Sequence, residues 1–268
     1  GTKVVTSSVH INLGIEELTG LFSALRLIRC EAALFLALSA SSPFLDRSST
    51  GVHSQRWMQF PRTPQSVPLF LDHKHYITWI EEHLEKGEMW NVRHFWSSIR
   101  PNGPARPYEL NRLELRICDL ITDCDLLLAV TALFELRVLS ILNNPARLDP
   151  LKASKLSTDE LAVLSDLNDV SAAKYSLDAS LNHWVDGRSI ICRDWIEQLI
   201  QEVMPLASDM GMTHLLSPLR VILDEGNQAM QWLKGYSAGN SIEALLQTSI
   251  AAMETEEKAF NEPHDFLR

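Results

Sequence analysis

The chain has 268 residues, of which 46% are apolar and 22% charged, and carries a formal net charge of −10. This is the composition of a folded globular protein with enough apolar material for a sizeable core. The acidic balance argues against nucleic acid or an anionic membrane surface as the main partner, because counterion-release binding needs a basic face. The arginines are nevertheless unevenly spread. Arg93, Arg100, Arg106, Arg112 and Arg116 fall in a short interval, so a locally positive cleft is compatible with an acidic protein.

The chain opens on a strand-like run from Lys3 to Leu13, with Val5, Ser7, Val9, Ile11 and Leu13 on one face and Thr6, Ser8, His10 and Asn12 on the other. A strand with no lead-in suggests that a further segment precedes it in a longer protein. A helix follows from Glu16 to about Ala40, apolar nearly all round from Ala32 to Leu38, and is stopped between Ser39 and Pro43. Arg26, Arg29 and Glu31 interrupt it, as Glu135 and Arg137 interrupt a later apolar run, so neither spans a membrane. No signal peptide is visible.

Pro43, Pro61, Pro64 and Pro68 exclude regular helix between residues 41 and 68. Trp57, Met58 and Phe60 predict an ordered loop there, long enough to have a functional role. A helix returns from Leu71 to Lys86, with Tyr76, Trp79, Ile80 and Leu84 as its stripe and Gly87 as its terminator. Val92 to Arg100 reads as a strand, with His94, Trp96, Ser98 and Arg100 on one face. Pro101-Asn102-Gly103-Pro104 turns the chain, and Leu110 to Ile121 reads as its antiparallel partner.

Within that partner, Leu113, Leu115 and Ile117 share one face and Arg112, Glu114 and Arg116 the other. Such a charged face is either a salt-bridge row in solvent or a rigid holder for anionic ligands or a bridging metal.

The rest reads as helical: Leu126 to Leu142 after a cap at Thr122, a helix from the capping box at Ser157 to about Trp184, then Arg193 to Met210, Leu215 to Glu225, Gln228 to Leu233 and Ser241 to Thr255. The expected organisation is one α+β catalytic-type domain over residues 1–255, sheet-bearing to 121 and helical from 122, with a charged tail at 256–268. Cys30, Cys118, Cys124 and Cys192 show no C-x-x-C and no zinc spacing. They read as buried thiols of a reduced, cytoplasmic protein, with Cys118 and Cys124 as an alternative redox pair.

Glycine-rich phosphate loops and the G-x-S-x-G elbow are missing. His10, Arg100, Glu114 and Arg116 remain on polar strand faces, with Arg56 on the proline-rich loop. If the strands adjoin, they form an arginine-lined, metal-capable surface for a phosphorylated or carboxylate-bearing substrate. Glu114 and His10 can ligate a cation, Mn²⁺ suiting the imidazole better than Mg²⁺.

The runs Ser8 to Asn12, Leu38 to Pro43, Thr50 to Trp57, Arg100 to Pro104, Asn111 to Asp119 and Leu219 to Met230 together resemble glutamate–cysteine ligase, in particular the form of oxygenic photosynthetic bacteria. The resemblance implies the glutamine-synthetase-like fold of carboxylate–amine ligases, an antiparallel sheet backed by helices. It implies ATP-dependent joining of the glutamate γ-carboxylate to the cysteine amine through a γ-glutamyl phosphate, with Mg²⁺ or Mn²⁺ and with a homodimer allowed. His10 and Glu114 then correspond to metal ligands and Arg116 to the arginine facing the transferred phosphate. Arg56, Arg100 and Arg112 correspond to substrate or phosphate binders. Two departures stand out: the acidic G-x-E-x-E strand of the family is absent, and Asp46-Arg47 stands where an Asp-Gly turn is expected. A sibling ligase with another amine acceptor and a non-catalytic interaction module are the alternatives.

Overall fold

A computed structural model describes residues 7–60 and 63–261; the expected strand start from Lys3 to Thr6 and the tail beyond 261 lie outside them. The first strand, β1 (Ile11–Gly14), leads into the long helix α1 (Leu18–Ser39), whose free N-terminal amides at Thr19 and Gly20 donate to the Glu17 side chain. Every residue of α1 from Leu21 to Ser39 is buried. A helix surrounded on all sides must pair the charges it takes inside. Arg26 donates from Nε and Nη2 to Asp149 at 2.9 and 2.6 Å and from Nη1 to the carbonyls of Phe70 and Leu71. Arg29 donates to Asp169 at 2.7 Å and to Asp166. Glu31 accepts two bonds from Arg137, at 2.8 and 2.6 Å, and one from Trp184 Nε1 at 2.9 Å.

A tight hairpin follows, β2 (Phe44–Leu45) and β3 (Ser48–Ser49), turned by Asp46 and Arg47 at φ +48° and +62°. The left-handed pair is the reason glycine is expected here, since a side chain at positive φ crowds its own backbone. Helix α2 (Gln55–Gln59) interrupts the proline-rich loop, and α3 (His73–Glu85) packs Tyr76, Trp79 and Ile80 inward.

Strands β4 (Ile99–Asn102) and β5 (Arg112–Leu115) complete a three-stranded antiparallel sheet in the order β1–β5–β4. Ile11, Ile99, Leu113 and Leu115 are buried on its underside, against α1. The expected strand from Val92 is shorter: Asn91 caps a 3₁₀ turn at Val92–His94, its side chain accepting from Arg93 N at 2.8 Å, and extended pairing begins only at Ile99.

The second half is helical, with α4 (Cys124–Asn143), the single turns α5 (Pro145–Leu148) and α6 (Pro150–Ala153), and α7 (Thr158–Tyr175). Asp123, not Thr122, caps α4, accepting from Leu126 N at 2.8 Å. The helix expected to reach Trp184 ends at Tyr175. A hairpin of β6 (Ser180–Asn182) and β7 (Ser189–Ile191) follows, with Gly187 at φ +75° in its turn. Asp186-Gly187 is thus a hairpin signal and not a helix terminator. Helices α8 (Cys192–Asp209), α9 (Ser217–Glu225), α10 (Gln228–Ser237) and α11 (Ile242–Asn261) follow. A continuous core runs from Ile11 to Leu223. Three cysteines are buried, but Cys124 is exposed at the start of α4, correcting the expectation of four buried thiols. Among the described residues, no helix is long and apolar enough to cross a membrane.

Candidate functional site on the sheet face

The strand register sets the site. Glu114, in the central strand, has Asn12 directly opposite on β1 and Arg100 directly opposite on β4, and side chains opposed in this way lie within contact on one face. Glu114 is 5% exposed. Its Oε2 accepts from Arg100 Nε at 2.7 Å and from Asn102 Nδ2 at 2.9 Å. Its Oε1 accepts from Arg100 Nη2 at 3.3 Å and lies 3.2 Å from His10 Nδ1 and 3.7 Å from Arg116 Nε. Burial pushes the Glu114 pKa up, but His10, Arg100 and Arg116 together override it and hold the carboxyl at about 2. The group is a fixed negative charge at neutral pH.

Two guanidinium groups, of Arg100 and Arg116, meet this one carboxylate, and a third, of Arg106, feels the charge of Arg100 and Glu114. Arg116 donates from Nη1 to the Phe95 carbonyl at 3.2 Å, while its buried Nε has no hydrogen-bond acceptor among the described residues. Its pKa is lowered to about 10, chiefly by burial and then by the charge of Arg100. Arg106 donates from Nη2 to the Val92 carbonyl at 2.9 Å, and its buried Nε and Nη1 lack acceptors among the described residues, as does Nη1 of Arg100. Burial, then repulsion by Arg100, lowers the Arg106 pKa. An unsatisfied buried donor costs about 1–3 kcal/mol, more when charged. A rigid sheet that keeps several of them beside one carboxylate is built to receive an anion.

Of the residues expected at the site, the structure brings together His10, Arg100, Glu114 and Arg116. Arg112 lies on the same strand opposite Asn102, its Nη1 donating to its neighbour Asn111 at 3.2 Å. Arg56 is engaged elsewhere: on α2 and 4% exposed, it donates from Nε to Asp119 at 2.7 Å and from Nη2 to the Ile117 carbonyl. Asp119 also accepts from Ser41 N at 3.0 Å, Ser42 Oγ at 2.7 Å and Ser54 Oγ at 2.8 Å. The S-S-P, T-G-x-x-S-x-R and L-E-L-R-x-x-D motifs therefore meet at one buried carboxylate that ties the proline-rich loop to the end of β5. Asn227, from the last of the resembling runs, docks on the same helix end by donating to the Ala37 carbonyl at 2.7 Å.

Sequence reasoning missed Arg106 and Asn102 as members of the site. Asn102 was findable, since it lies two residues beyond Arg100 on the same strand face. Arg106 sits on a loop, where no periodicity signals orientation.

Among the described residues, no three His, Cys, Asp or Glu side chains gather to hold a metal ion. His10 and Glu114 offer one nitrogen and one oxygen donor, and both Glu114 oxygens already take protein partners. Such a pair fits a divalent cation that brings most of its ligands as phosphate and water oxygens, not an all-protein cage. Two cavities of about 540 and 500 Å³ lie elsewhere, one around His183, Trp195 and Arg147 and one around Gln231, Trp232 and Asn240.

The model of glutamate–cysteine ligase family 2 matches residues 1–249. A protein of Gloeobacter violaceus described as "Putative glutamate--cysteine ligase 2" is 26% identical over 252 residues, covering 92% of this chain and 64% of that protein. One of Sorangium cellulosum with the same description is 27% identical over 245 residues, covering 90% and 62%. The chain thus spans a little under two thirds of these relatives. Among solved structures, glutamate–cysteine ligase of Francisella tularensis in complex with AMP superposes with a TM-score of 0.66 at 13% identity, covering 88% of this chain and 58% of the other. A bifunctional glutathione synthetase of Pasteurella multocida gives 0.63 at 14% identity, covering 91% and 32%. These two likenesses establish the fold, a helix-rich α+β arrangement with small antiparallel sheets. On the match over residues 1–249, the chain belongs to glutamate–cysteine ligase family 2.

Proposed function

We propose that the protein to which this chain belongs joins the γ-carboxylate of glutamate to the amine of cysteine at the expense of ATP, through a γ-glutamyl phosphate. The single observation that carries this reading is the sheet-face cluster, in which Arg100 and Arg116 outnumber the one carboxylate they both meet, Glu114. Phosphoryl transfer asks a protein chiefly for positioning and charge neutralisation. In this reading Arg116, whose Nε makes no hydrogen bond among the described residues, faces the transferred phosphoryl group, and Arg100 and Arg112 take substrate or phosphate oxygens. Glu114 and His10 would hold Mg²⁺ or Mn²⁺, which would supply neutralisation of phosphate charge. Arg56, locked to Asp119, steadies the loop that closes over the substrate.

The family assignment and the AMP-bound neighbour support nucleotide and amino-acid substrates of this kind. The test is phosphate release from ATP with Mg²⁺ or Mn²⁺ and glutamate, with and without cysteine, on this chain and on one extended to the relatives' length. Cysteine-dependent release is the expected result. Release that is indifferent to cysteine but responds to another amine points to a sibling ligase. Release from neither version refutes ligation and leaves binding without turnover.

A further inference from the structure

The loop joining β4 to β5 carries a cation that the roles of Arg100, Arg116 and Glu114 do not explain. Arg106 is the excess. Its backbone is fixed: Tyr108 N and Glu109 N both donate to the Ala105 carbonyl at 2.9 Å, and the Pro107 carbonyl lies 2.8 Å from His73 Nε2. The loop is closed so tightly that a Cβ on Gly103 would stand 1.9 Å from the Glu109 carbonyl oxygen. Of the Arg106 donors, Nη2 serves the Val92 carbonyl, which leaves the buried Nε and Nη1 without acceptors among the described residues. Anchoring Val92 alone would need one N–H, whereas a guanidinium fork presents several in one plane.

A second orphan lies on the helix against which this loop packs, α3, whose His73 meets the Pro107 carbonyl. Tyr76 of α3 is fully buried, its ring held among Phe22, Phe70 and Phe95 at centroid distances of 6.0, 5.0 and 6.1 Å. Its hydroxyl has no partner among the described residues, although a buried tyrosine hydroxyl ordinarily finds one. Burial raises its pKa, against the opposing charges of Arg106 and Arg100. The charged groups that act on Arg106 are Arg93, Arg100 and Glu114, and the last already accepts from Arg100 and Asn102.

We propose that Arg106 and the Tyr76 hydroxyl form a second oxyanion-binding position next to the Arg100–Glu114–Arg116 cluster, taking a carboxylate or phosphoryl oxygen of a substrate. The identity of that substrate, though not the presence of the position, rests on the ligase reading. With Nη2 taken by Val92, the Nε and Nη1 donors lie on different edges of the guanidinium, so each serves a single oxygen, and the neutral Tyr76 hydroxyl adds a further donor.

Binding is measured directly, without turnover, by calorimetry on this chain with inorganic phosphate, ATP and glutamate as separate probes, for the native protein, Arg106→Met, Arg106→Lys and Tyr76→Phe. Arg106→Met is expected to weaken at least one probe by about tenfold or more, the scale of a charge-assisted hydrogen bond, with Arg106→Lys weakening it less. Loss confined to phosphate and ATP assigns the position to a phosphoryl group; loss confined to glutamate assigns it to a carboxylate. Unchanged affinity for all three in a folded Arg106→Met overturns the proposal, as does a native chain that binds none of them. If Arg106→Met does not fold, Tyr76→Phe and Arg106→Lys decide in the same way. Probe binding that depends on Arg106 in a protein that releases no phosphate refutes ligation and leaves this position standing.

Discussion

Two regions of the molecule bury charge in opposite ways. Around α1, the cations Arg26, Arg29 and Arg137 meet Asp149, Asp166, Asp169, Glu31 and the half-exposed Glu202, so every guanidinium has at least one carboxylate. On the sheet face, Arg100 and Arg116 share the single carboxylate of Glu114, and Arg106, on the loop between β4 and β5, has no carboxylate partner among the described residues. The arginines around α1 are buried and those of the sheet side only partly so, which leaves the uncompensated cations the more accessible. Charge that is balanced internally holds elements together; charge left over is available to something from outside. Burial of an ion pair is in itself weak support for stability, but breaking one is costly.

The comparison can be broken most decisively at Glu114. Glu114→Gln is expected to abolish cysteine-dependent phosphate release, as loss of a fixed charge among the reacting groups should, while the circular dichroism spectrum stays native. Its stability cost follows a definite pH course. Because the folded-state pKa is about 2 against an ordinary 4.5, the group contributes stability above pH 4.5 that is lost as pH falls toward 2, about 3 kcal/mol in all. Urea midpoints of native and variant proteins should therefore differ at neutral pH and converge near pH 2; parallel curves would show that the charge pairing is not what holds Glu114.

In the balanced region, Asp149→Ala should cost about 3–5 kcal/mol, because it strands the buried Arg26. Chemical denaturation followed by tryptophan fluorescence reads this, and phosphate affinity should not move. Arg116→Met sharpens the contrast from the other side. Removing a cation whose Nε makes no hydrogen bond among the described residues from an already positive cluster should change stability by no more than about 1 kcal/mol, in either direction, while activity is lost. A destabilisation as large as that of Asp149→Ala would erase the distinction between the regions. The smallest effect serves as a control outside both: Arg47→Gly in the β2–β3 turn should stabilise the protein by about 1 kcal/mol, by relieving the left-handed φ of +62°. A fall in thermal midpoint would mean that the Arg47 side chain makes a compensating contact.

Features set by neighbours along the chain were legible. The alternation of Leu113 and Leu115 against Arg112 and Glu114 needs only the two-residue period of a strand, and it is the pattern observed. The capping box at Ser157 is present as read, with Glu160 N donating to Ser157 Oγ and Ser157 N donating to Glu160. The resemblance carried by the dispersed motifs agrees with the family match over residues 1–249. Errors came where a local signal has two outcomes: Asp186-Gly187 closes a hairpin as readily as it ends a helix, and the Asn91 side chain turns a segment whose composition suits a strand.

The sequence by itself determined that the chain folds around an apolar helix and a sheet with one charged face, because periodicity and composition act over a few residues at a time. Only the tertiary structure decided which charges are satisfied. Asp119 gathers Ser41, Ser42, Ser54 and Arg56 from 63 to 78 residues away, and Arg29 finds Asp169 across 140. Arg26 meets Asp149 directly, whereas Arg106 meets no carboxylate among the described residues. A charge is balanced or left over according to what folding brings beside it through space, and pairing over such separations leaves no periodic trace in the order of residues.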